Sequence, residues 1–398
     1  MTLRQKIEQE IRERGPIAFS RYMELCLYDP DLGYYSRKAE QFGKAGDFYT
    51  SSDVHAVFGR LLARQFEEMW RALGSPAQIE ILELGPGRGL FAQDVLDWSE
   101  KKFPDFFRAL HYRLVETSPA LRKRLQAALE RHFAAGKTSL SSASLTLGES
   151  TTSVVPNNAT LARALALEVP IIVFANEFFD ALPVDVLSPQ GELRVSQKDR
   201  RLLETWAAAS PEAMEFLDRY SVYPEAGERI EASLIAQRYM SQIAATVKRG
   251  FMIAIDYGYT RQEQLAGRHR GTITAYRQHS VSTNPYQAPG EQDITAHVNF
   301  TALAAAAERG GMQIQPLLTQ SQFLLGIGEH NQFADAFEEC RLLQERAKVA
   351  LQLKHLITPT GMGESFHVFI ASKDIDTVQV SRFSGLIFGK TPRPSAHP

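Results

Sequence analysis

The stretch from Ile79 to Gly89 reads IEILELGPGRG, an apolar strand that runs into glycines at 85, 87 and 89. Glycine at alternate positions strips side chains from the place where a strand turns into a helix. A ligand can then approach the backbone and the N–H groups of the helix start. Such junctions belong to open α/β sheets, whose ligands lie beyond the carboxyl ends of the strands. A dinucleotide fingerprint, G-x-G-x-x-G, needs glycine at its sixth place, and counting from Gly85 that place is Leu90. The loop therefore predicts a nucleoside-type ligand held differently from NAD. An isolated loop of this kind is equally well a tight turn between strand and helix.

The second feature is HYRLVETS, His111 to Ser118, a short strand ending in Glu116. Ser118 before Pro119 makes an N-cap and first-turn pair, which places Glu116 at the carboxyl end of the strand. A carboxylate there can accept both ribose hydroxyls. It ordinarily follows the glycine loop by about 20 residues, and SEKKFPDFFRAL lengthens the interval here. A solvated Glu at a strand end is the plainer reading, but two such features at matching strand ends rarely coincide by accident. Together with Glu83, the loop resembles the E-x-G-x-G-x-G form of S-adenosylmethionine-dependent methyltransferases.

The 398 residues, 44% apolar, are enough for a large core and exceed one ordinary compact domain. Basic and acidic residues number 44 and 46, so the net charge of -2 gives no global electrostatic case for nucleic acid or an anionic membrane. Cys26 and Cys340 lie far apart with no C-x-x-C, which predicts neither a disulfide framework nor a cysteine zinc site. No His/Cys/Asp cluster has ligand spacing, so no metal is expected. Without an apolar run of about 18 residues or a secretory h-region, no membrane insertion is expected and the protein is read as cytoplasmic.

Residues 1–76 read as a helical extension broken at Gly15-Pro16, with DPDLGYYS and GDFYTSS standing out for their aromatic and capping residues. A core is expected over 77–190 and 250–374, with 191–249 as an insertion or lid and 375–398 as a loosely attached tail. Within the core, Ile171 to Ala175 is a buried strand that delivers Asn176, Glu177 and Asp180 to the ligand edge, and FMIAIDYGY delivers Asp256. The polar stretch 258–298 is too long for a purely structural loop and suits substrate binding or a dimer contact.

GPIAFSRYM, DPDLGYY, GDFYTSS with VFGRLL, ELGPGRG, LVETSPALR, ANEFFDALPVD, IDYGY, PGEQDITAHVNF, LTQSQFLLGIG and GMGESFHV together resemble one family. It is the methyltransferases related to the mitochondrial complex I assembly factor that methylates arginine, with their bacterial relatives. The chain departs from it in having GDFYTSSD where relatives tend to have GDFITSPE, and Asn299 where many have aspartate. The resemblance implies a Rossmann-like S-adenosylmethionine-dependent methyltransferase core, an N-terminal helical extension and inserted lid segments. It implies arginine in a protein as acceptor, a respiratory complex I subunit, with symmetric dimethylation. Asp47 and Thr50, in the GDFYTSS motif, are implied to close over cofactor or substrate.

Methyl transfer from sulfonium to nitrogen is an in-line displacement, so the protein mainly positions reactants and excludes water. A guanidinium acceptor calls for carboxylates that clamp its planar fork. Glu177 and Asp180 are the candidates, with a structural ion pair as the plainer role of Glu177 and helix capping as that of Asp180. Asn176 is placed to bond the cofactor or orient Glu177. His297 suits proton acceptance, though a lone histidine is more often a packing residue. Asp256 before Tyr257-Gly258 is equally well a turn former, and His279 has no claim beyond polarity. Glu83, Gly85, Gly87, Gly89 and Glu116 complete the expected cofactor site. Methylation of a small molecule or another side chain, and a noncatalytic assembly factor that keeps the fold, stay open beside arginine methylation.

Overall fold

Leu3, Ile7 and Ile11 recur at helical spacing and form the buried face of helix α1 (Leu3–Arg14). Thr2 and Gln5 start it with a reciprocal capping box, and Gly15 ends it at a φ of 81°. After the Gly15-Pro16 break comes α2 (Phe19–Tyr28), and α3 (Ala56–Ala72) leads into the main sheet. This is a computed structural model; it describes residues 1–36, 56–141, 169–199, 201–277, 280–282 and 284–388.

Six strands dominate the main sheet: β1 (Ile79–Leu84), β2 (Leu110–Val115), β3 (Thr138–Ser141), β4 (Ile171–Asn176), β5 (Gly250–Tyr259) and β6 (Phe366–Lys373). Their order is β3-β2-β1-β4-β5-β6, with β1 to β5 parallel and β6 antiparallel to β5. Every residue of β1 is buried, as a strand covered on both faces requires. Ile79 and Ile81 face α3 and α4 (Leu90–Lys102), where Phe91 stacks on Phe174 at 4.4 Å. Leu82 and Leu84 face the opposite layer, built from α5 (Leu234–Thr246) and α6 (Phe300–Arg309). Strand order reverses between β1 and β4, so a crevice opens beyond their carboxyl ends.

A second, five-stranded antiparallel sheet joins Ile17–Ala18 to Gly191–Lys198, Asp185–Ser188, Ile230–Ala232 and Arg201–Ala207. It shares one apolar cluster with α1 and α2, including Ile7, Tyr22, Val186, Leu193 and Val195. The segment 191–249, expected as a separate insertion, is thus divided: its strands join the N-terminal region, while α5 belongs to the main sheet. Two residues, Ile17 and Ala18, are too few to carry a periodic signal.

Residues 258–298 are largely ordered. Thr274–Arg277, Ser280–Ser282 and Asp293–Thr295 form a three-stranded sheet, and Tyr22 donates its hydroxyl to the Pro285 carbonyl at 2.8 Å. The tail corrects its expectation. Up to residue 388 it docks on α3, burying Val380, Phe383 and Leu386, with the Gly385 N–H donating to Gln65 at 3.1 Å. Asn299 also has a structural explanation: its side chain caps α6 by accepting from the Ala302 N–H at 2.9 Å. Aspartate would serve the same cap, so the departure bears on helix initiation.

Candidate active site

The three glycines divide their work. All lie at positive φ, 64° for Gly85, 52° for Gly87 and 79° for Gly89. A Cβ on Gly89 would stand 2.5 Å from the Leu125 side chain, so this glycine lets the following helix pack. A Cβ on Gly85 would stand 3.0 Å from the Phe178 ring, and one on Gly87 would meet nothing within 4 Å. Gly87 therefore leaves an open cradle walled by backbone at the mouth of the crevice, while Gly85 makes room for the Phe178 ring beside it. Glu116 lies beside it and accepts from the Ser118 N–H at 2.8 Å. Burial raises its pKa to about 7, against the opposing pull of the Ser118, Thr117 and Gly87 N–H groups. Ser118 caps the next helix, Pro119–Ala128, as its spacing predicts. Glu83 is buried under the strand end, where Tyr112 donates to it at 2.9 Å and burial raises its pKa to about 8.

Across the crevice, β4 ends in Asn176 and the chain turns sharply at Glu177, a non-glycine residue at φ 49°. Asn176 donates its side-chain N–H to Glu177 at 3.0 Å. The turn is held by Asp256 from β5, one oxygen of which accepts the N–H groups of Phe178, Phe179 and Asp180 at 3.2, 3.0 and 3.3 Å. Asp256 is 1% exposed, and its pKa is pushed well up by burial and by the charges of Asp180 and Glu177. Asp180 receives the Tyr257 hydroxyl, and burial raises its pKa to about 6 against that bond. The Asp180 carbonyl accepts the Ala296 N–H at 3.0 Å, which straps the His297 segment to the turn.

Sequence reasoning ranked Asp256 below Glu177, yet Asp256 builds the turn that presents Glu177 and Asp180. It also missed Tyr257, Tyr28 and Tyr35. Tyr28 donates to the Ala181 carbonyl at 2.9 Å and Tyr35 to Asp293 at 2.8 Å, their rings 5.4 Å apart. The crowding of tyrosines in DPDLGYYS and IDYGY was the available signal. His297 lies edge-on to Tyr257 at 5.3 Å between ring centroids, and burial with two neighbouring imidazoles lowers its pKa to about 4. Asp47, Thr50 and His279 lie outside the described residues. Asn176 Oδ1 is buried without a hydrogen-bond partner. No group of three or more metal-ligating side chains occurs among the described residues.

A family model for S-adenosyl-L-methionine-dependent methyltransferases matches residues 61–317. Among curated proteins, the mitochondrial protein arginine methyltransferase NDUFAF7 homolog of Drosophila melanogaster is 33% identical over 343 residues, 81% of this chain and 74% of that protein. The human mitochondrial protein arginine methyltransferase NDUFAF7 is 30% identical over 381 residues, 90% and 81% of the two chains. Among solved structures, a Burkholderia thailandensis superfamily member bound to S-adenosyl-homocysteine superposes with a TM-score of 0.78 at 27% identity, covering 98% of this chain and 95% of that one. The cytoplasmic expectation is overturned, because these curated relatives are named as mitochondrial. Cysteine usage and the lack of a secretory h-region bear on redox state and export, and do not separate one reducing compartment from another. The glycine cradle, the strand order and the full-length likeness agree: the chain belongs to the S-adenosyl-L-methionine-dependent methyltransferases and has their Rossmann-like fold.

Proposed function

We propose that this enzyme methylates arginine side chains of a protein. The observation that carries the reading is the acidic turn facing the glycine cradle, where Asp256 holds Glu177 and Asp180 at the end of β4. Relatives named as protein arginine methyltransferases support it. In this reading Gly85, Gly87, Glu83, Glu116 and Asn176 hold the cofactor, Gly89 serves it by letting the following helix pack against the loop, and Asp47 and Thr50 are assigned to it by the family resemblance. Bound S-adenosylmethionine supplies a methyl group on an electrophilic sulfonium. Glu177 and Asp180 clamp the guanidinium fork and draw positive charge away from the attacking nitrogen. Tyr28 and Tyr35 wall the same pocket and exclude water, and His297 accepts the released proton. The family resemblance extends the proposal to symmetric dimethylation of a respiratory complex I subunit.

The test is purified protein with isotope-labelled S-adenosylmethionine and arginine-bearing protein acceptors, followed by mass spectrometry of the modified residue. Label on arginine that Glu177→Gln loses supports the reading. Label confined to other side chains or small molecules overturns it.

A further inference from the structure

His269 lies in the left-handed backbone region at φ 54°, between Gly267 and Gly271, also at positive φ. A non-glycine residue there is strained and persists only where its surroundings hold it. Aromatic neighbours do so. Tyr259 stacks on its imidazole at 5.3 Å between centroids, and its Nδ1 lies 3.0 Å from Nδ1 of His297. His297 is pinned in turn by its backbone N–H, which donates to Thr272 at 3.0 Å, and by the edge contact with Tyr257. Tyr257 is the residue whose hydroxyl holds Asp180.

A hydrogen bond between two Nδ1 atoms contains one proton, so one imidazole donates and the other accepts. His269 is half-buried, and burial lowers its pKa against the opposing charge of the nearby Glu263 carboxylate, so its ring is neutral and can accept. Imidazole in contact with water prefers its proton on Nε2, which leaves Nδ1 of His269 as the acceptor. His297 must then carry its proton on Nδ1 and present a lone pair at Nε2. The charged and titratable neighbours are Glu263, Arg268 and Tyr259 around His269, and His367 and Tyr257 around His297.

We propose that His269 is a positioning residue that accepts the Nδ1–H of His297, fixes that tautomer and leaves Nε2 of His297 to take the proton released on methylation. The inference rests on the reading of His297 as proton acceptor. In that step the acceptor nitrogen forms the new bond to methyl, and the sulfur–methyl bond breaks with its electron pair kept on sulfur. The N–H proton of the acceptor then passes to Nε2 of His297. The contact between the two Nδ1 atoms thus sets which nitrogen of His297 is left to accept a proton.

The experiment is 15N NMR of the full-length protein labelled at histidine, with His297→Asn identifying the signal. Wild type is expected to show His297 protonated at Nδ1 and bare at Nε2. His269→Gly relieves the strained backbone and should move the His297 proton to Nε2 without lowering Tm. His269→Asn, which tolerates the left-handed region and offers an amide oxygen, should restore the original tautomer. A wild-type His297 protonated at Nε2, or a tautomer unchanged in His269→Gly, overturns the proposal. The spectrum is recorded without any methyl acceptor, so its result stands apart from whether arginine is the substrate.

Discussion

The Tyr257 hydroxyl donates to the Asp180 carboxylate and so ties the end of β5 to the turn that follows β4. Tyr257→Phe removes that donor while keeping the ring. Asp180, already raised to about 6 by burial, then loses the bond that opposes the rise. The acid limb of kcat/KM is expected to move toward higher pH by about one unit, with a stability loss of about 1 kcal/mol. A pH profile of methyl transfer checks it, and an unmoved limb would mean that Asp180 is not the titrating group.

Asp256→Ala leaves three backbone N–H groups, those of Phe178, Phe179 and Asp180, without their acceptor. A loss of about 3 kcal/mol or more is expected, read as a fall in Tm. Asp256→Asn keeps one accepting oxygen and should fall between that variant and wild type.

Gly87→Val and Gly89→Ala separate ligand contact from packing. Open space surrounds Gly87, so its substitution should abolish S-adenosylmethionine binding in calorimetry at a stability cost of about 1–2 kcal/mol from the positive φ alone. Gly89→Ala presses on Leu125 as well and should lower Tm further. Equal loss of binding and of stability in both would contradict the division.

Glu177→Gln removes charge without changing shape. Calorimetric affinity for S-adenosylmethionine should stay within about threefold of wild type, while methyl transfer to arginine falls about a hundredfold or more. Transfer at the wild-type rate would remove Glu177 from the clamp.

Stability should depend on pH in a direction opposite to that of an ordinary salt-bridged protein. Asp180, Glu116 and Glu83 are raised by burial to about 6, 7 and 8, whereas in the unfolded chain they titrate near about 4. The folded state therefore binds more protons between those values. Its stability from these groups is full below the unfolded pKa and is lost as pH rises through the folded ones. Tm without ligand is expected to be higher at about pH 5.5 than at about pH 8.5, and a flat or rising profile would count against the buried carboxyls.

Legibility followed locality. The β1 junction, the Ser118 cap and the strand delivering Glu177 all rest on a few adjacent residues whose chemistry is self-contained, and each stands where its spacing puts it. Contacts between distant segments leave no such mark. Nothing near Asp256 announces that its oxygen serves a turn on another strand, and nothing in Ile17–Ala18 announces a partner at Val195. His297 was noticed as a lone residue, although its environment comes from His269 and Tyr257 together. The tail was misjudged because the serines, glycines and prolines near its end outweighed Val380, Phe383 and Leu386, whose spacing of three puts each in the core.

Pairing of Ile17–Ala18 with Gly191–Lys198 has a consequence for biosynthesis. Helix α1 carries an apolar face, Leu3, Ile7 and Ile11, and part of its cover, at Val186, Leu193 and Val195, is encoded far downstream. Until that strand is made, α1 presents an incompletely covered amphipathic face, and the longer synthesis takes, the longer that face is open to wrong partners. Synthesis thus separates α1 from part of its own cover by well over a hundred residues of chain.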